Sequence, residues 1–392
     1  MKSLAFCVLF LAVACLRDAG TEAARRSVRG LVRKEERRSM TTTEYGEISS
    51  AEVVAQGGAR YHLQFITLEP NALFLPVLLH SDMVLYVHTG SGRLSWAFDG
   101  EDEEVRRVEL RRGDIYRLPP GVIFYVQSDL KPERAKLRIH TIFANAEEGF
   151  YEPLIGAYSS IGDLLRGFNS RLLQEAFMAP EEVVEDITSA ERPPPIVHGI
   201  PKQKKGKWGR EALVLDSLMS ERRSHVAVAE EFSNNKKRKA FNLYKADRDF
   251  ENCNGWSIAL TSKEVRMLDH SDIGVFMVNL TRGSMMAPHW NPTATEIAVV
   301  LQGSGMIRVA CPSGAAMKES QCKGRSFRVS PGDVFAVPRF HPMSQMSFNN
   351  DSFVFMGFSA SKKRNYPQFL VGRSSVLRTI RGGYPGRVIQ HG

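Results

Sequence analysis

Beyond residue 45 the chain is written in short apolar runs separated by Gly, Pro and charged turns: YHLQFITL, NALFLPVLL, MVLYVH, GRLSWAF, DIYRLP, VIFYVQ and KLRIHTIF. Runs of this length, recurring at intervals of about 8 to 12 residues, predict the strands of an all-β sandwich or barrel over 45–145. The period then changes. Asn169 is placed to cap SRLLQEAF, where Leu172, Leu173, Ala176 and Phe177 recur at helical spacing, and Pro180 stands ready to open EEVVEDI as a first-turn residue. Residues 146–191 therefore read as a helical arm. From 192 to 240 the composition turns to RPPPIVHGIPKQKKGKWGR and NNKKRKAF, expected as a basic, disordered linker open to proteases.

A second strand-rich half covers 241–361, with NGWSIAL, GVFMVNL, EIAVVLQG, MIRVAC, RSFRVS, DVFAVP and FVFMGFS, and 362–392 is expected to be a C-terminal helical arm and tail. This half repeats the first at fixed points. GSG at 90–92 precedes Gly113-Asp114-Ile115-Tyr116-Arg117-Leu118-Pro119, and GSG at 303–305 precedes Gly332-Asp333-Val334-Phe335-Ala336-Val337-Pro338. From the first Gly to the Gly-Asp pair the spans are 23 and 29 residues. Two copies of one β-barrel are therefore expected.

The 392 residues leave room for two domains with sizeable cores. The formal charge of +9 invites a polyanion reading, which its distribution removes. Residues 25–38 carry a net +5 and residues 192–240 a net +7, so everything else sums to about −3. No nucleic-acid partner is expected of a nearly neutral body, and the basic, Thr-rich lead over 25–44 is expected to be disordered.

MKSLAFCVLFLAVAC opens the chain with a Lys, an apolar core too short to span a bilayer and small residues behind it, so 1–24 reads as a signal peptide. A secretory route follows, with no membrane span in the mature protein. In that oxidising route Cys311 and Cys322, flanking a polar loop between two strand-like runs, are expected to form a hairpin-closing disulfide. Cys253 is then odd, either a buried free thiol or a thiol pairing with another chain. Asn279 and Asn350 both stand in glycosylation sequons, the second in a turn-like setting and the first inside a strand pattern.

Gly283-SMMAP-His289-Trp290-Asn291-PTAT-Glu296-IAVVLQ-Gly303 resembles the first cupin motif, G-x5-H-x-H-x4-E-x6-G, at every spacing, with Asn291 in place of the second His. Gly332-DVFAV-Pro338-Arg339-Phe340-His341-Pro342-Met343 resembles the second, G-x5-P-x-G-x2-H, with Phe340 at the Gly position and Met343 at the His position. By strand periodicity His341 and Met343 share a face, so His341 is expected to look into the barrel. In the first half the corresponding positions carry Pro76, Leu78, Met83 and Phe124. That barrel is expected to be apolar inside and metal-free, with His80 and His88 as surface or satisfied histidines.

LEPNALFLP, YSSIGDLLRGFNSRLLQEAF, APHWNPTATEIAVVLQGSG, SPGDVFAVPRFHP and QFLVGRSSVLRTI together resemble the vicilin-like, or 7S globulin, seed proteins over about residues 45–380. The resemblance implies two tandem cupin jelly rolls, a homotrimer joined through the helical arms, deposition in a storage vacuole or protein body, and a nutrient-reservoir role. An extracellular destination is the alternative.

Composition does not decide on storage. Gln and Asn number only 10 and 13, whereas 35 of the 52 basic residues are the nitrogen-rich Arg. The competing reading is a metal-dependent cupin enzyme or metal-linked binder. His289, Glu296 and His341 would supply two imidazoles and a carboxylate to one transition-metal ion, iron, manganese or zinc, and Met343 would shift the choice toward copper. Asn291 would assist as a weak ligand or orient a bound anion, and a small anionic or aromatic ligand in the second barrel belongs to the same reading. A third possibility is a vestige in which His289 and His341 satisfy themselves on Glu296 and Asn291 without metal.

Overall fold

The computed structural model describes residues 30–55, 59–97, 105–144, 156–178, 180–188, 194–199, 239–311, 324–348 and 350–381. The leader 1–24 and the basic residues 200–238 lie outside the described residues.

Each half folds as a jelly roll of two facing antiparallel sheets. In the first, strands Arg38–Thr43, Gly46–Val54, Arg60–Leu68, Leu137–Ala144, Asp82–Thr89, Asp114–Leu118 and Phe241–Asn242 lie side by side in that order. The opposing sheet runs Tyr158–Ser160, Ala72–Leu79, Ile123–Ser128, Ser91–Ala97, Arg106–Arg111. In the second half the large sheet is Leu31–Val32, Val334–Val337, Glu296–Gln302, Phe353–Ser359, Gly274–Leu280, Gly255–Leu260 and Phe250–Asn252. Facing it are Arg325–Val329, Gly305–Val309, Met343–Ser347, Met285–Trp290 and Gln368–Phe369.

The two large sheets pack back to back, and this explains the unbroken apolar runs. Along Asp82–Thr89, Met83, Leu85 and Val87 point into the first barrel, whereas Val84 and Tyr86 join a cluster with Val275, Met277, Val299 and Met356 of the second. A strand buried on both faces has no reason to alternate. Burial of such side chains stabilises by roughly 1.5–3 kcal/mol each, so the inter-barrel layer binds the halves into one block.

The repeat extends to backbone conformation. Gly90 and Gly303 have φ of 75° and 71°, and Gly113 and Gly332 have 88° and 95°, the left-handed region in which a Cβ is unfavourable. The Gly-Asp turns also do the same work in both halves. Asp114 accepts from the Arg111 N–H at 2.8 Å, and Asp333 accepts from the Ser330 N–H at 3.0 Å. Each then holds the strand that precedes the other barrel. Asn242 Nδ2 donates to Asp114 at 2.7 Å, while the Lys34 N–H and Arg33 Nη1 donate to Asp333 at 3.0 and 2.8 Å.

This exchange corrects the expected disorder of 25–44 over its described part. Leu31 is buried opposite Phe335, and Val32 pairs with Val334. Arg37 lies over the Phe65 ring, 3.3 Å from its centroid, and donates to the Gly332 carbonyl. Charges read from sequence as solvated find oxygen acceptors about 300 residues away and, for Arg37, the aromatic face of Phe65. The 192–240 linker likewise is ordered at Ile196–His198, which pairs with Ala72–Leu79 and buries Ile196 fully.

Helices α1 (Ile161–Leu165), α2 (Ser170–Phe177), α3 (Glu181–Thr188) and α4 (Val376–Arg381) form the arms. Asn169 caps α2 by accepting from the Arg171 N–H at 2.8 Å, and the Pro180 carbonyl accepts from the Val184 N–H to begin α3. Of the apolar α2 face only Leu173 is buried. Leu172 and Phe177 are exposed, as are Phe168 before the helix and Met178 after it. Among the described residues no helix is long and apolar enough to cross a membrane.

Candidate functional site

The two cupin-like motifs meet inside the second barrel. Met285–Trp290 delivers His289, Asn291 follows at its end, and Glu296 opens the next strand on the face that also carries Ala298 and Val300 into the core. Met343–Ser347 lies opposite, with Met343 directly across from His289. By strand period Gln345 and Ser347 share the Met343 face.

His289 is 1% exposed, and its Nδ1 pairs with the Ala287 carbonyl at 2.8 Å. The Nδ1–H tautomer follows, which leaves Nε2 an acceptor, and burial pushes the imidazole pKa down. Its ring packs on Phe369, with centroids 5.4 Å apart. The Glu296 carboxyl is pushed up to about 7 by burial, tempered by hydrogen bonding from Asn365, whose Nδ2 donates to Oε1 at 3.2 Å. Asn291 stands near enough to this carboxyl to favour its charged form, yet neither of its amide atoms reaches hydrogen-bonding geometry with any group. Gln345 Nε2 donates to the Met343 sulfur at 3.2 Å, and Gln345 Oε1 and Ser347 Oγ are buried without partners.

His341 does not follow strand periodicity. The strand begins only at Met343, and Phe340 turns the chain with φ of 64°. His341 Nδ1 therefore faces the Arg339 carbonyl at 3.1 Å, and its buried Nε2 has no partner. Among the described residues, no group of three or more His, Cys, Asp or Glu side chains is placed to hold a metal ion. His289, Glu296 and His341 are thus not assembled into one coordination shell, and the donor set does not fit a three-ligand metal centre. Its chemistry is that of a neutral hydrogen-bonding interior: an imidazole acceptor, a carboxyl that holds its proton up to neutrality, and amides with unused donors and acceptors.

Of the matching positions in the first barrel two are sealed, whereas Leu78 is half-buried outside the core cluster, where Val77 and Leu79 stand instead. Met83 and Phe124 are each 1% exposed within the apolar core. Polar exceptions include Gln64, which accepts from the Tyr158 hydroxyl at 2.8 Å, and His62, whose Nε2 meets Gln64 Nε2 at 3.1 Å and whose ring packs on Phe143. His88 is half-buried and stacks on the buried His140, with centroids 5.1 Å apart; burial, and then the charges of Arg138 and Arg112, push its pKa down to about 4. Nor is His80 a satisfied histidine, since its Nδ1 is buried without a partner. Cys253 is free and exposed, not buried, at the hairpin joining Phe250–Asn252 to Gly255–Leu260. Cys322, the expected partner of Cys311, lies outside the described residues. Asn365, Gln345 and Ser347 carried no motif signal in the sequence.

Fold and site together define a double cupin. The family model described as Cupin matches residues 35–153 and 241–382. Two vicilin-like seed storage proteins of Arabidopsis thaliana are 48% and 44% identical to the chain, each alignment covering 89% of it and 48% and 68% of the relatives. The chain belongs to the vicilin-like members of the cupin family. It spans about half the length (48%) of the first of these relatives. Among solved structures, a vicilin from Solanum melongena, described as holding different anionic ligands in structurally similar pockets, superposes with a TM-score of 0.69 at 20% identity, covering 90% of both chains. A variant oxalate decarboxylase of Bacillus subtilis superposes with a TM-score of 0.65 at 14% identity, covering 87% of this chain and 79% of that one. Both show the shared fold.

Proposed function

We propose that the chain is a 7S-type seed storage globulin, a compact amino-acid reserve rather than an enzyme. The observation that carries this reading is kinship with seed storage proteins in a chain whose cupin ligand positions are not assembled into a metal shell. The secretory route, with a storage vacuole or protein body as destination, belongs to the same reading. Immunolocalisation and protein quantification across seed filling and germination test it: accumulation followed by loss is expected, and constant low abundance would count against storage. Elemental analysis of the purified protein is expected to give well under one transition-metal ion per chain. A full equivalent, lost on His289→Ala, would restore the metal-enzyme reading.

The homotrimer is proposed to form through the arms. The exposed Phe168, Leu172, Phe177 and Met178, with Val371, Leu377 and Ile380 at the other end, are apolar faces that a second chain would cover. Sedimentation at micromolar concentration should give a trimer, and Leu172→Glu together with Phe177→Glu should give a monomer; a monomeric parent protein would sink the assembly.

A small polar or anionic molecule in the second barrel is a second reading, favoured by the unpartnered Asn291 amide, 2% exposed. The Cys311–Cys322 disulfide and glycans on Asn350 and Asn279 remain proposals, which mass spectrometry of seed-purified protein tests directly.

A further inference from the structure

Outside both barrel interiors, a cleft of about 570 Å³ opens where the two halves meet. The buried Ile142 of the first barrel and Ile273 of the second belong to its floor, and its exposed lining carries Arg60, Arg339, Lys362 and Lys363. These four cations come from both barrels: Arg60 from the start of Arg60–Leu68, Arg339 from the turn after Val334–Val337, and the lysines from the segment after Phe353–Ser359. Asp272 is the one acid in the lining, and Glu52 engages Arg60 from outside it at 2.6 Å. The concentration is not a general property of the surface, because the body apart from its two basic segments sums to about −3. A cleft lined by one sign of charge focuses potential and draws counter-ions.

The turn that carries Arg339 adds a second observation. Phe340 adopts φ of 64°, whereas the matching position of the first half is Gly121, at 85°. A non-glycine residue in this region is strained, and such strain concentrates at functional turns. The Phe340 ring stays about half exposed, with the Arg339 guanidinium 5.6 Å from its centroid. The strained turn thus sets an arginine on the cleft instead of contributing to the core.

We propose that this cleft binds a compact polyanion bearing two or more phosphate groups, held jointly by Arg60, Arg339, Lys362 and Lys363. Guanidinium forks match phosphate oxygens bidentately, and ammonium groups add point charges. With Glu52 on Arg60 and Asp272 in the lining, the four cations leave a net charge of about +2, which a monovalent anion would not balance, and the volume suits a small ligand.

Titration calorimetry of the full chain with sodium tripolyphosphate, at a constant ionic strength of about 0.15 M, tests the site against orthophosphate and citrate. One binding site per chain is expected, with affinity for tripolyphosphate at least about tenfold above that for either comparator. Arg339→Ala/Lys362→Ala/Lys363→Ala should weaken it about tenfold or more. Arg107→Ala/Lys245→Ala/Arg282→Ala, which removes the same charge from other exposed positions, should leave it within about twofold. Because all six residues are exposed, a thermal melt of each variant should match the parent. Equal weakening by both triple variants would assign binding to diffuse charge and overturn the proposal. So would the absence of a discrete site in the parent, and citrate binding as tightly as tripolyphosphate would overturn the phosphate class.

Discussion

The two barrels share turns, glycine conformations and Gly-Asp clasps, but their interiors are built on opposite terms. In the first, the cupin ligand positions carry Met83 and Phe124, packed into a continuous apolar core. In the second they carry His289 and Glu296, accompanied by Asn291, Gln345 and Ser347 with buried atoms that bond to nothing in the chain. An unsatisfied buried polar group costs about 1–3 kcal/mol. The second interior buries polar groups at ligand positions where the first buries apolar ones. The frame does not require the ligands: both Gly-Asp turns hold a neighbouring strand whether or not the barrel behind them has polar residues.

The sharpest way to break this contrast is at Phe124. Phe124→Ala empties a sealed core position and should cost about 3–5 kcal/mol in urea unfolding; a loss below about 1 kcal/mol would show that the first interior is not tightly packed. Glu296→Gln comes next, through pH. Burial raises the Glu296 carboxyl from its ordinary 4.5 to about 7, so between these values the folded chain holds a proton that the unfolded chain releases. The stability is present in full below 4.5 and is lost as pH rises through about 7. Gln has no such loss, so the variant should match the parent at acid pH and exceed it at alkaline pH, by on the order of 3 kcal/mol at most. Urea midpoints for the pair at the two pH extremes check this, and parallel pH profiles would contradict it.

A smaller effect separates the two clasps. Asp333 receives a charged Arg33 as well as two N–H donors, whereas Asp114 receives one N–H and one amide. Asp333→Ala should cost about 2–3 kcal/mol and Asp114→Ala about 1–2; equal losses in thermal melts would mean that the ion pair adds nothing. The smallest effect is expected at Asn291. Replacing an unpartnered buried amide by a similar apolar side chain in Asn291→Leu should be neutral or stabilising, by up to about 1 kcal/mol. A clear loss in unfolding experiments would mean that the amide is satisfied by a bound molecule.

Much of the frame was legible in local pattern. Short apolar runs became strands, Asn169 became the α2 cap, and the paired GSG and Gly-Asp signatures became superposable turns. What failed had two kinds of cause, pairing with distant segments and local turns that interrupt a strand. Leu31–Val32 sits among charges and looked disordered, because the edge it completes, Val334–Val337, lies about 300 residues on. A period of two places His341 inward only if the strand is continuous, and the left-handed Phe340 breaks it before Met343. Cys253 looked buried by residue type, but its place in a hairpin turn exposes it. Asn365, bonded to Glu296, belongs to the tail and has no motif to mark it.

The sequence by itself determined that there are two barrels and where their turns fall, because strand period and glycine chirality act within a few residues. Only the tertiary structure decided which inward groups find partners, how the two lead strands exchange, and that cations from distant segments share one cleft. Those outcomes depend on the meeting of surfaces hundreds of residues apart, for which the chain carries no local periodic signal.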